Sequence, residues 1–130
     1  MADAATIILY KQDKKILLQH RDNNAKRFPN IWGLFGGAIE NNEKPIEAVK
    51  RECKEELDYK LKKPLLIYKA AVGKSKTYVF IEKYDSSKKL NLREGKNMGW
   101  FEIRDLKKNK MIPHAWRIIK KVENIIKEQT

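Results

Sequence analysis

The sequence predicts one α+β domain, a mixed β-sheet with helices on its faces. Three observations carry this prediction. Short β-branched or leucine-rich runs flank a central segment that opens on Pro45 and repeats its apolar residues at helical spacing. A second amphipathic segment opens on Pro113. The 130 residues suffice for one real core, and they show no repeat, low-complexity tract or interdomain linker.

Residues 5–10 (ATIILY) and 15–20 (KILLQH) read as strands joined through Gln12-Asp13-Lys14. A polar loop over 21–30 leads to Ile31-Trp32-Gly33-Leu34-Phe35-Gly36-Gly37, whose three glycines let the backbone turn tightly or approach a ligand. Pro45 suits the first turn of a helix, where its missing N–H is not needed. Ile46, Val49, Cys53 and Leu57 then fall on one side. Residues 65–72 (LLIYKAAV) and 77–82 (TYVFIE) read as strands separated by Gly73-Lys74-Ser75-Lys76. Residues 85–89 form a turn and 98–103 (MGWFEI) a final strand. In the last helix Trp116, Ile118, Ile119, Val122, Ile125 and Ile126 supply the apolar side.

Hydrophobic residues at 42% and charged ones at 35% describe a globular chain and exclude a disordered one. One Cys and two His support neither a disulfide framework nor a structural zinc site. No apolar run approaches the ~20 residues of a membrane helix, and no signal-peptide pattern opens the chain. A reducing cytoplasm is the expected location. The formal charge of +12 points to anionic partners without choosing among nucleotide, nucleic acid and membrane surface.

The informative stretch is Gly37–Tyr59, GAIENNEKPIEAVKRECKEELDY. Glu52, Glu55 and Glu56 lie at i, i+3 and i+4, so they project from a common helix face. Gathered carboxylates raise each other's pKa unless a cation neutralises them, and hard oxygen ligands suit Mg²⁺ or Mn²⁺. Ala48, one turn earlier, is expected to keep space open over that face, while Lys54 points away. The helix alone leaves a solvated charged face equally open as a reading.

The surrounding spacing bears on the choice. Gly37, Glu43, Arg51, Glu52, Glu55 and Glu56 match six of the seven fixed positions of G-x5-E-x7-R-E-U-x-E-E-x-G-U, where U is aliphatic. The stretch resembles the Nudix box, and a chance match from this composition is on the order of 10⁻⁵. Residues 32–37 (WGLFGG) are similar to the lead-in of MutT-like members. Asp58 stands where the box has its second glycine, and Cys53 and Tyr59 stand at usually aliphatic positions. Asp is among the better non-glycine residues for a left-handed helix stop, and Cys53 reads as a buried structural thiol.

The resemblance implies a Nudix-like α/β/α sandwich spanning residues 1–130, with its box at 37–59. It implies hydrolysis of a nucleoside diphosphate linked to another group, with Mg²⁺ or Mn²⁺ as cofactor. Glu55 and Glu56 are then metal ligands, Glu52 is a ligand or the base, and the Gly36 carbonyl is a further ligand. Arg51 and Glu43 brace loop against helix. Glu94 resembles the loop glutamate that several members add as base or extra ligand. For substrate, Arg21 and Arg27 flank the loop before the glycines and suit a terminal phosphate, and Gly37 is expected to bind substrate. Trp32, Phe35, Tyr78 and Phe80 could stack a base, although aromatics on strands more often belong to the core. Surface charge is the stronger reading for Arg27, His114 reads as a capping or surface residue, and His20 shows no partner signal.

A MutT-like triphosphate pyrophosphohydrolase heads the functions, ahead of a hydrolase of dinucleoside polyphosphates, nucleotide sugars or capped RNA. A nucleotide- or RNA-binding module has no need of the three glutamates. The basic excess is mostly scattered lysine, and only six of the 29 basic residues are Arg, so RNA as the main partner is not favoured. Oligomeric state leaves no mark in the sequence.

Overall fold

The protein is described here by a computed structural model, over residues 2–129. Seven strands and two helices follow in the order β1 (Ala4–Tyr10), β2 (Ile16–His20), β3 (Trp32–Gly33), β4 (Phe35–Ala38), α1 (Pro45–Leu57), β5 (Leu65–Val72), β6 (Ser75–Lys83), β7 (Asn97–Phe101) and α2 (Pro113–Glu128). Short 3-10 turns at Ile103–Asp105 and Lys108–Lys110 join β7 to α2. The sheet runs β3-β2-β1-β6-β5, with β4 also on β1 and β7 also on β2. β1 and β6 are parallel and the other pairs antiparallel, so the sheet is mixed as expected.

β1 is central and almost wholly buried. Ile8 and Tyr10 join β6 residues Val79 and Ile81 under α2 residues Ile118, Ile119, Val122 and Ile126. Ala5, Ile7 and Leu9 face the other way, onto α1 residues Ala48, Val49, Cys53 and Leu57. A strand covered on both faces carries a continuous apolar run, and ATIILY is such a run. The layers are therefore helix, sheet, helix.

Four expectations need correction. Residues 31–37 form two short strands, because the backbone around Gly36 pairs with β1 (Thr6 opposite Gly36). Gly36 has φ +147°, and a Cβ there would meet the Ala5 carbonyl oxygen at 2.2 Å, so only glycine fits. The last strand ends at Phe101, and Ile103 reaches the core from a 3-10 turn instead. Ile46, in the first turn of α1, is exposed, while Ala48 is fully buried. Ala48 thus leaves no open space over the glutamates. It lies on the i, i+4 row with Glu52 and Glu56, and its small side chain lets that row sit close on the sheet.

Candidate active site

The site is built where α1 passes over the glycines of β4. Glu56, in the last turn of α1, is only 5% exposed, and its Oε1 accepts the Gly36 N–H at 2.9 Å. Burial pushes the Glu56 carboxyl up to about 10, helped by a side-chain hydrogen bond with Glu94 and by the charges of Glu94 and Glu52. The Gly36 N–H pulls the other way and does not win. Glu52, one turn earlier, is also raised, by burial first, against the pull of Arg51. A Cβ on Gly37 would stand 2.5 Å from the Glu52 carboxyl carbon, so this glycine is what admits the carboxylate beside the strand.

Arg51 is the hub that holds loop to helix. Its Nε donates to Glu43 Oε2 at 2.8 Å, and Nη2 donates to Glu43 Oε1 at 3.1 Å and to the Ala38 carbonyl at 3.0 Å. Nη1 donates to Glu52 Oε1 at 2.8 Å and reaches Glu55 Oε2 at 3.4 Å. A planar fork spans this set as a point charge could not. Glu43 in turn accepts the Glu40 N–H at 3.0 Å, and Glu40 itself pairs with Arg51 at 3.1 Å. Sequence reasoning missed Glu40, although an acid three residues before Glu43 in a polar turn was the available signal. Glu55 is exposed, beside Glu52 on the same Arg51 nitrogen.

The loop after Asn91 brings Glu94 to the same place. Asp58 ends α1 in the left-handed conformation (φ +53°), as its position in the box requires. Its carboxylate has further work: it binds Lys54 at 2.9 Å, Arg93 at 3.2 Å and the Asn91 amide at 3.2 Å, and these partners hold it below its ordinary pKa. Backbone bonds from Asn91 to Leu57 and from Arg93 to Glu56 add to the seam. On the far side, buried Gln19 donates to the Glu94 carbonyl at 3.0 Å. A glutamine in the otherwise apolar strand ILLQH was the signal for this anchor.

Glu52, Glu56 and Glu94 line one cleft of about 410 Å³ with Gln19, Arg21 and Asp22. A second cavity of about 250 Å³ adjoins it, sharing Arg21, Leu34, Gly36 and Gly37. Its other walls include Thr6, Arg27, Phe28, Thr77, Ile112, His114 and Ala115. Arg27 and His114, read as surface or capping residues, therefore belong to this cavity. The first turn of α2 has no side-chain cap, and half-buried His114 meets Phe28 edge-on at 6.3 Å. Burial, with Arg117 and Arg27 nearby, holds the imidazole below its ordinary pKa.

Of the two readings of the strand aromatics, core packing is the one strand parity gives Phe35, Tyr78 and Phe80. Phe35 is 1% exposed and packs under α1 with Ile7, so its ring is unavailable for stacking. Tyr78 and Phe80 pack on that same α1 side, whereas Thr77 lines the cavity. Trp32 is taken up by His20, stacked at 4.4 Å, and by Phe101.

A family model for the NUDIX domain matches residues 1–122. The chain belongs to the Nudix family. It carries six of the seven fixed residues of the box, with Asp58 in place of the second glycine. Its Nudix fold is similar to that of a MutT NUDIX hydrolase from Burkholderia pseudomallei, with TM-score 0.73 and 24% identity over 99% of this chain and 98% of that one. It is also similar to a MutT/nudix family protein from Enterococcus faecalis, with TM-score 0.79 and 18% identity over 98% of this chain and 62% of that one. At these identities the likeness is one of fold. Over 55 residues it is 36% identical to the m7GpppN-mRNA hydrolase NUDT17 of Xenopus laevis, a match covering 42% of this chain and 19% of that protein. The Danio rerio counterpart matches at 38% over 50 residues, 38% of this chain and 17% of the relative. The chain thus spans about a fifth of the length of the curated relatives it matches.

Nudix hydrolases generally use divalent metal ions. Among the described residues, no three His, Cys, Asp or Glu side chains stand ready as a cage for one. The reason is visible: Glu52 is engaged by Arg51, Glu56 by Gly36, and Glu55 is exposed. The donor chemistry nonetheless fits a hard cation. Burial and mutual repulsion lift two carboxyl groups in one cleft, and a positive ion is what would relieve both. No helix among the described residues is long and apolar enough to cross a membrane.

Proposed function

We propose that this protein hydrolyses the diphosphate linkage of a nucleoside triphosphate or a related nucleoside diphosphate derivative, with Mg²⁺ or Mn²⁺, and releases the nucleoside monophosphate. The observation that carries the reading is the single cleft that gathers Glu52, Glu56 and Glu94 and opens directly into a cation-lined cavity. A polyphosphate needs cations along its length, and the nucleoside attached to it needs a partly apolar recess beside the point of cleavage.

Glu52 and Glu56 would hold the ion, joined by Glu55 and the Gly36 carbonyl. The bound ion would supply charge neutralisation on the bridging phosphates and activation of the attacking water. Glu52 and Glu94 are the carboxylates suited to take the proton from that water. Arg51 positions Glu52 and ties it to the 38–43 loop. Arg21, shared by both cavities, is suited to the phosphate between them. A single domain acting in the reducing cytoplasm is part of this proposal, and buried, unpaired Cys53 accords with it.

The test is a panel of nucleoside triphosphates, dinucleoside polyphosphates, nucleotide sugars and a random RNA oligomer, each with Mg²⁺ and with Mn²⁺, with products separated by anion exchange. A nucleoside monophosphate as product supports the proposal. No turnover across the panel, or release of terminal orthophosphate alone, overturns it.

A further inference from the structure

The second cavity has one sign of charge. Arg21, Arg27 and His114 line it, and no Asp or Glu does. Asp22, the nearest acid in sequence, lines the glutamate cleft instead. Among the described residues neither Arg21 nor Arg27 has a carboxylate partner. The Nε of Arg21 donates to the Arg27 carbonyl at 3.2 Å, and the Arg27 guanidinium lies 5.4 Å from the Phe28 ring centre. Leu34, Ile112, Ala115 and Ile118 give the wall an apolar part, beside the hydroxyl-bearing Thr6 and Thr77. The cavity thus offers apolar side chains together with guanidinium N–H donors.

On the hydrolase reading above, we propose that this cavity receives an uncharged nucleobase bearing acceptor atoms and turns away one with a fixed positive charge, with Arg27 setting the choice. A volume of about 250 Å³ lies below the range of drug-sized pockets and accords with a single base, the sugar and phosphates extending toward the glutamates. Guanidinium N–H groups pair with the carbonyl and ring-nitrogen acceptors of an unmodified guanine edge. A 7-methylguanine ring has one of those acceptors blocked and carries a positive charge. It would lie beside the Arg27 guanidinium, which has no carboxylate partner among the described residues, in a cavity whose own lining holds no Asp or Glu. The preference runs against the substrate in the names of the NUDT17 proteins, whose m7GpppN cap begins with that ring.

The experiment is calorimetric titration of the whole chain, in magnesium buffer at slightly acidic pH, with GMP and with 7-methyl-GMP. Neither ligand contains a diphosphate, so binding is read without turnover. GMP should bind at least about tenfold more tightly. Arg27→Glu should raise affinity for 7-methyl-GMP and bring the ratio to about twofold or less, with Arg27→Gln between. Arg27 is exposed, and thermal melts will show that the fold is kept. Equal or tighter binding of 7-methyl-GMP, a ratio unmoved by Arg27→Glu, or binding of neither ligand overturns the proposal. Selective binding by a protein that cleaves nothing in the substrate panel would refute the hydrolase reading alone.

Discussion

Glu56→Gln separates the stability of this protein from its activity. The amide keeps an oxygen for the Gly36 N–H and offers an N–H to Glu94, so the contacts survive and the titration is removed. The wild-type carboxyl has an ordinary value of 4.5 and is pushed up to about 10 in the fold. At pH 7 the unfolded chain is ionised at Glu56 and the metal-free folded protein is not, so folding takes up a proton. The interval from 4.5 to 7 corresponds to roughly 3 kcal/mol lost relative to acid conditions. This group's stabilisation is fully present below pH 4.5 and is lost as pH rises toward 10. Urea unfolding in chelator from pH 4 to pH 8 reads it. Glu56→Gln should match wild type near pH 4 and exceed it by up to roughly 3 kcal/mol at pH 7. The variant should be inactive throughout. A variant no more stable than wild type at pH 7, or a stability difference that does not change with pH, would refute the reasoning.

Other substitutions test other parts of the site. Arg51→Ala should lower activity by about 10- to 100-fold, and Arg51→Lys should not restore it, since an ammonium cannot join Glu43, Ala38 and Glu52 at once; steady-state kinetics decide. Asp58→Gly restores the family glycine and keeps the helix stop, yet it removes the anchor of Asn91 and Arg93. Its kcat should fall, and hydrogen exchange at those two amides should quicken; full activity with unchanged exchange would count against the seam. Burial pushes the Cys53 thiol up to about 12, so a disulfide reagent should label it only after unfolding. Cys53→Ala should cost about 1 kcal/mol in a denaturant melt without changing kcat.

What was legible in the sequence follows from period and spacing. The ridge of Glu52 and Glu56 is helical geometry, and the left-handed stop at Asp58 follows from its place in the box. The nucleobase side was not legible, for a physical reason. β1 is apolar on both faces, so alternation does not say which parity faces α1. Phe35 and Tyr78 turned out to share the α1 side, while Thr6 and Thr77 look into the cavity. Arg27 and His114 are 87 positions apart and meet only because α2 begins beside the 21–30 loop. Gln19 and Asp58 act on Glu94 through contacts that no local pattern encodes. The glutamates of the box lie on one helix, whereas the second cavity is assembled from five separate segments.

The central claim is that the carboxylate cleft cleaves a diphosphate with the help of a divalent ion. Its most direct test follows a cleaved nucleotide by phosphorus NMR, with chelator-treated wild type and Glu56→Gln, as Mg²⁺ is added back. Turnover should be absent without the ion, recover saturably in wild type, and be at least about a thousandfold lower in Glu56→Gln. Chelator-resistant turnover, or a Glu56→Gln variant that recovers like wild type, would contradict it.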